Sequence, residues 1–375
     1  MNNQSPYDLT YITIDSISEG VGASQIVPLL KILSKSGMSI NLISFEKIKP
    51  DNSVLNVLKD SGINWNQRIF QKLGPISGLS RILEISREIP PTKIIHARSD
   101  IPAAAAGLFQ RAPILWDIRG LWSDQRVFME PNPIKKRIVS NLRLFEDFSS
   151  LRADAISTLT SSVVPILEER HRNLPKKRIV VPTATDLEVF SLTKSLPRKI
   201  RGLYSGTYSN YYDLELSKRF INELKTQRAI EIHWARPQES LRKELNAGES
   251  SIFVSAQREM SKIIAEYSFG LSVCKLNAGP SLRGVMPTKV GEFLASGRPV
   301  VINSGLGDLD DFLLEFNAGV SIDDSETSLR RGARELLALL DNPQTPERCR
   351  SLAEKYFDIR VGAKKYLNLY EGIKY

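Results

Sequence analysis

Lys289 and Glu292 stand three residues apart in the run PTKVGEFLASGRPVV, which opens on Pro287. Proline suits the first turn of a helix, and Thr288 beside it can cap the backbone. A helix beginning here carries Lys289 at its positive end, with Glu292 on the same face. An anion at that end meets free N–H groups and an ammonium. A carboxylate one turn further on can accept hydrogen bonds from two ribose hydroxyls. Phosphate at the helix end and ribose beside Glu292 make a coherent nucleotide site. The plain alternative is a surface salt bridge between Lys289 and Glu292, a kind of pair worth little.

Two more segments hold reactive side chains. Segment 19–24, EGVGAS, places Gly20 and Gly22 where the backbone can approach a ligand closely. They match the first two glycines of a dinucleotide fingerprint, with Gln25 at the third position and Glu46 about where a ribose-binding acid would sit. A tight turn with no ligand fits the same residues. Segment 117–125, DIRGLWSDQ, gathers Asp117, Arg119 and Asp124 with Trp116 and Trp122. Polar groups beside indole rings suit a sugar-like acceptor. A structural ion pair between Asp117 and Arg119 is the alternative.

Alternating strands and helices must position these groups. Segment 9–14 is a β-branched apolar strand, 25–36 a helix with Ile26, Leu29, Leu30 and Leu33 on one face, and 39–45 a second strand. Strands at 93–96, 113–118, 155–159 and 179–181 continue the series, with helices at 101–109 and 132–151. The Pro-punctuated stretch 182–197 reads as a linker. A second series follows, with strands at 201–205, 230–234, 251–254, 270–273, 299–302 and 319–322. Its helices fall at 213–225 and 288–295, and a helical tract runs from Ser325 onward with a break near Asp358. Such alternation predicts parallel sheets, with ligands at the carboxyl ends of the strands.

Composition narrows the classes. The chain of 375 residues is 42% hydrophobic and 25% charged, which excludes wholesale disorder. Two cysteines, Cys274 and Cys349, build no disulfide framework, and His96, His171 and His233 show no metal spacing. No apolar run is long enough to span a bilayer, and the first residues do not read as a signal peptide. A cytoplasmic protein is expected. The net charge of +9 permits anionic partners without choosing among them. Lys135, Lys136, Arg137 and Arg143 cluster on the expected helix 132–151, as a solvated face or as a surface for anionic lipid or nucleic acid. No nucleic-acid motif accompanies them.

The run PTKVGEFLASGRPVVINSGLGD resembles the C-terminal signature of glycosyltransferase family 4, P-x-K-x-x-E-[FY]-x-A-x-G-x-P-V-[VI]. SEGVGASQIVPLLKILSKSG, HARS, DIRGLW, RADAISTLTSS, RIVVPTATDLEVF and LYSGTYSNYYDLEL are similar to other family elements, in the family's order. The likeness covers nearly the whole chain. It implies a GT-B fold, two Rossmann-like parallel-sheet domains facing across a cleft. An acceptor-side domain 1–182 and a donor domain 183–357 are expected, with a final helix 358–375 crossing back to the first. It also implies a retaining, metal-independent hexosyltransferase. Its donor would be a nucleotide-diphosphate sugar and its acceptor a glycan or a lipid-linked glycan. Polysaccharide or envelope assembly, at the inner membrane face, is the expected setting. Asp310, Asp311, Asp323 and Asp324 read as helix-start or loop carboxylates and not as a metal site.

On this resemblance Gly22, Gly206, Thr207, Lys289 and Glu292 bind the donor, while Asp117, Arg119 and Trp122 lie on the acceptor side. Lys289, with Arg283, stabilises the leaving diphosphate, and His96 and Arg98 occupy the segment that contacts the transferred sugar. The chain departs from the pattern in three places. Gly284 stands where many relatives have a first acid, with Ser281 and Arg283 nearby, so Arg283 is a substitute diphosphate ligand. Thr207, Tyr208 and Ser209 replace the usual basic residue after Gly206. Arg98 replaces the second histidine after His96, which leaves His96 either a ligand or a strand-end residue. Rival readings are a GT-B-like nucleotide-sugar epimerase, an NAD enzyme using EGVGAS and Glu46, and a non-enzymatic basic binding protein.

Overall fold

A computed structural model describes the chain except residues 1–5, 51, 71–76, 110–111, 196, 198, 206–210, 237–248, 254–256 and 374–375. The described residues divide into two compact units, Met1–Val181 with Ile359–Tyr375, and Pro182–Asp358.

The first unit is built on seven parallel strands: β1 (Tyr7–Ile12), β2 (Ile40–Glu46), β3 (Ile63–Ile69), β4 (Thr92–Arg98), β5 (Ile114–Ile118), β6 (Ala155–Thr158) and β7 (Arg178–Val180). Their order is β3-β2-β1-β4-β5-β6-β7, so the order reverses between β1 and β4. Register pairs Tyr11 with His96 there, and Arg98 with Asp117 on the next strand. Every residue of β2 and β5 is buried, as expected where helices cover both faces of a parallel sheet. β3, with sequence INWNQRI, was not anticipated. It lies at the sheet edge, where one side meets no described strand and polar residues are tolerated.

The second unit carries six parallel strands: β8 (Arg201–Ser205), β9 (Glu231–Arg236), β10 (Glu249–Phe253), β11 (Phe269–Ser272), β12 (Val300–Asn303) and β13 (Gly319–Ile322). The order β10-β9-β8-β11-β12-β13 again reverses once, between β8 and β11. That is the dinucleotide-fold order, and the reversal opens a crevice at the carboxyl ends. Gly270 on β11 sets the position of the helix Thr288–Ala295. A side chain there would meet the Phe293 ring at 2.3 Å, so only glycine lets that ring lie on the strand.

Three expectations change. The helix expected at 132–151 is two, Pro133–Ser140 and Arg143–Arg152. Asn132 caps the first by accepting from the Ile134 and Lys135 N–H groups. The ladder then tightens to three-residue bonds at Asn141 and Leu142, which ends it. The helix expected at 25–36 starts as a wide turn over Gly22–Ile26 and becomes α-helical at Val27–Lys35. Pro28 supplies no N–H, so the regular ladder cannot pass through it. Finally, 182–197 is not a free linker. Arg298 donates to the carbonyls of Thr193 and Ser195, Arg350 to that of Phe190, and Phe190 is fully buried. These guanidinium groups satisfy carbonyls that have no sheet partner.

Candidate functional site

The carboxyl edge of the second sheet holds the signature residues. The helix Thr288–Ala295 has Pro287 at its cap position, with no side-chain capping bond, and Thr288 is its first helical residue. Thr288 therefore does not cap the helix as expected. Lys289 is 8% exposed. Its Nζ donates to the carbonyl of Ser205, the last residue of β8, at 2.9 Å. The ammonium also lies 3.8 Å from the Tyr212 ring centre and 4.6 Å from that of Tyr204. Burial pushes its pKa down to about 8, against the opposing pull of Cys274 and Glu292. Lys289 is thus not a surface lysine; it sits in a tyrosine-lined cage. Its bond to β8 fixes the helix start at the point where the strand order reverses.

The surrounding loops are braced. Tyr211 Oη and Ser281 Oγ are 2.9 Å apart, and Asn303 Oδ1 accepts the Cys274 N–H at 2.7 Å. Gly307 N–H donates to the Leu282 carbonyl, which closes the 276–284 turn against the loop after β12. Arg283 stands exposed on that turn, and Glu292 is partly exposed on the helix. Gly206 and Thr207 lie outside the described residues. Asp310 and Asp311 occupy the first turn of the helix Leu309–Phe316, and Asp310 accepts the Gly305 N–H at 2.6 Å.

The reversal point of the first sheet holds a buried charged cluster. Asp117 is 1% exposed and accepts from Ser157 Oγ at 2.7 Å and Tyr366 Oη at 3.3 Å. Arg119 Nη1 lies 3.4 Å from its Oδ1, His96 Nε2 3.3 Å and Arg98 Nη1 3.6 Å from its Oδ2. Burial alone would raise Asp117, but Arg119, His96 and Arg98 together hold it far below the usual carboxylate range. Arg98 also donates to Asp15, at 3.0 Å. The ion pair between Asp117 and Arg119 is therefore real and belongs to a larger network.

His96 is fully buried, with Nδ1 2.6 Å from Tyr370 Oη and its ring packed on Tyr11 and Tyr366. It anchors the helix Ile359–Ile373 within the first unit. Of the two readings of His96, ligand or strand-end residue, this burial fits the strand-end one. Trp116 is also fully buried, donating to Asp100 at 3.2 Å, and Trp122 packs partly into the core. Asp124 is held by Arg143 at 3.0 Å and Arg170 at 2.9 Å. Of the loop 117–125, then, Asp117 and Arg119 belong to the cluster, and the tryptophans and Asp124 are structural.

Gly22 marks a tight loop. A Cβ there would lie 2.0 Å from the Ser16 carbonyl oxygen. Glu46, expected as a ribose acid in the NAD reading, is already used. It accepts from Ser16 Oγ at 2.6 Å, Ile17 N–H at 3.0 Å, Ser18 Oγ at 2.8 Å and Ser44 Oγ at 2.7 Å. Burial opposes ionisation of Glu46, but these donors outweigh it and lower its pKa.

Spacing did not point to Asp15 or Tyr212 as parts of these clusters. A cavity of about 630 Å³ opens elsewhere, at the amino ends of β8 and β9, lined by Lys199, Ile200, Arg228, Ile230, Glu231 and Asp341 among others. Its charges are paired, Lys199 with Glu231 at 3.1 Å and Arg228 with Asp341 at 2.6 Å, and it lies at the sheet edge opposite to Lys289. Among the described residues no three His, Cys, Asp or Glu side chains are grouped to hold a metal. No described helix is long and apolar enough to cross a membrane.

No protein-family model and no curated protein matches the chain. Solved structures do. Sucrose-phosphate synthase from Thermosynechococcus elongatus aligns at 12% identity and TM-score 0.70, over 97% of this chain and 98% of its own. Anabaena HepE, in complex with UDP and glucose, aligns at 11% identity and TM-score 0.66, over 96% and 98%. A Listeria monocytogenes protein described as a candidate UDP-N-acetylglucosamine 2-epimerase aligns at 15% identity and TM-score 0.61, over 96% and 94%. At these identities the likeness speaks to the fold, and with the two sheets it establishes that the chain has the GT-B architecture of two Rossmann-like parallel-sheet domains.

Proposed function

We propose that this protein is a glycosyltransferase that takes its sugar from a nucleotide-diphosphate sugar. The observation that carries the reading is the placement of Lys289 and Glu292 on the helix that starts where the second sheet reverses its strand order. Such a crevice is where open α/β sheets bind nucleotides. The Lys289 ammonium supplies charge to the leaving diphosphate, and exposed Arg283 adds to it. Glu292 accepts the ribose hydroxyls. The HepE complex with UDP and glucose supports a donor of this class. Transfer is retaining and metal-independent, with the leaving phosphate taking the acceptor proton. The acceptor is a glycan or lipid-linked glycan, and the setting is polysaccharide or envelope assembly at the inner membrane face.

The test is thermal stability with UDP, GDP and ADP, on the wild type and on Glu292→Ala. One diphosphate at about 100 times its Kd should stabilise the wild type by about 2.7 kcal/mol. The variant should lose most of that response. If no diphosphate acts, or the variant responds like the wild type, the donor site is not here. The epimerase reading keeps support from the Listeria structure. It requires donor conversion without any acceptor, which product analysis separates.

A further inference from the structure

The helix Pro133–Ser140, sequence PIKKRIVS, has no buried residue. Only Val139 is partly covered, and the other seven are exposed. Ile134 is 75% exposed and Ile138 54%. These two lie one turn apart on one face of the helix. At 3.6 residues per turn, Lys135 and Arg137 flank that face on either side. Among the described residues no partner pairs the side chains of Lys135, Lys136 or Arg137. The acidic neighbour Glu130 is turned to the backbone, accepting the Asn132 N–H at 3.1 Å.

A helix of eight residues has little stability in water by itself. Here the Asn132 cap and Pro133 at the first turn preset its start, yet almost nothing covers it. Three candidate occupants differ in what they match. A second copy of this face would bring three cations against three cations, since a two-fold contact is self-complementary. Nucleic acid would use the cations and leave two protruding isoleucines in water. An anionic bilayer uses both, with isoleucines entering the interface and long basic side chains reaching the headgroups.

We propose that the helix Pro133–Ser140 is a docking surface for an anionic lipid bilayer. The proposal deepens the membrane-face setting proposed above and not the transfer chemistry; its readout involves neither donor nor acceptor, so its failure would leave the donor site standing.

The experiment is co-sedimentation of the full chain with vesicles of phosphatidylcholine containing phosphatidylglycerol, and with phosphatidylcholine alone. The expected result is pelleting with the anionic vesicles only, weakened by salt. The variant Lys135→Glu/Lys136→Glu/Arg137→Glu should lose at least about tenfold in binding. Ile134→Ser/Ile138→Ser should also bind more weakly at an unchanged Tm. Leu314→Ser, at an 83% exposed leucine of the second unit, serves as the control and should bind like the wild type. Absence of pelleting overturns the proposal, as does pelleting that neither variant changes. Salt-sensitive binding of a short DNA duplex that falls in the charge variant and is intact in the isoleucine variant, with no vesicle pelleting, also overturns it and assigns the face to nucleic acid.

Discussion

At the scale of single residues, burial decides what each charged group can do. Lys289 titrates at about 8, because its ammonium has lost water and gained only a carbonyl and two rings. It is charged below that pH and neutral above it. Affinity for a nucleoside diphosphate should therefore fall as pH rises through about 8, and a binding titration across that range checks it. Lys289→Met should weaken binding at neutral pH by about ten- to a hundredfold, the value of a charged hydrogen bond, and remove the alkaline decline. Asp100 behaves in the opposite sense. Burial, with Glu146 and Asp124 nearby, pushes its pKa up from 3.8 to about 8. The folded chain then holds this proton while the unfolded chain releases it, so stability is lost as pH rises across that window. Asp100→Asn should gain at least about 1 kcal/mol at pH 8 and little near pH 4, by urea unfolding at both. An equal effect at the two values would contradict the buried protonated acid. Gly22→Ala puts a methyl 2.0 Å from a backbone oxygen and should cost about 1–3 kcal/mol of stability.

At the scale of elements, the helix Ile359–Ile373 is the piece that completes the first unit. It brings Tyr366 to Asp117 and Tyr370 to His96, both beside the strand reversal. Tyr370→Phe removes one buried hydrogen bond and should cost about 1 kcal/mol, measured by denaturant midpoint. Tyr370→Ala also leaves a cavity and should cost about 3–5 kcal/mol. If both variants were neutral, the helix would not be held by this contact. The helix Thr288–Ala295 shows the same logic in the second unit. Phe293 seats it on Gly270, and Lys289 ties its start to β8.

For the whole molecule, the two units differ in how the chain supplies them. Pro182–Asp358 is continuous, whereas the first unit needs Met1–Val181 and Ile359–Tyr375 together. A fragment 182–358 should fold alone and unfold cooperatively, while a fragment 1–181 should not reach a native-like transition without the missing helix. Circular dichroism melts of the two fragments test this. Stable folding of 1–181 would show that the last helix is dispensable.

Much was legible in the sequence because local patterns carry it. Strand and helix alternation follows from side-chain periodicity, and so the presence of two parallel sheets and most of their strands was readable. Lys289 and Glu292 were marked by their spacing on one helix. The edge strand Ile63–Ile69 was not, since a half-solvated strand lacks a continuous apolar run. The split at Asn141 was missed because amphipathic spacing runs on through a turn of the same hand. What only tertiary structure decided is the environment of each charge. No spacing tells that Glu46 closes its own loop, that His96 faces Tyr370 from 274 residues away, or that two tyrosines enclose Lys289. The sequence determines which groups are present and on which element. Desolvation and pairing, which set their protonation and reach, depend on neighbours that only the folded chain brings together.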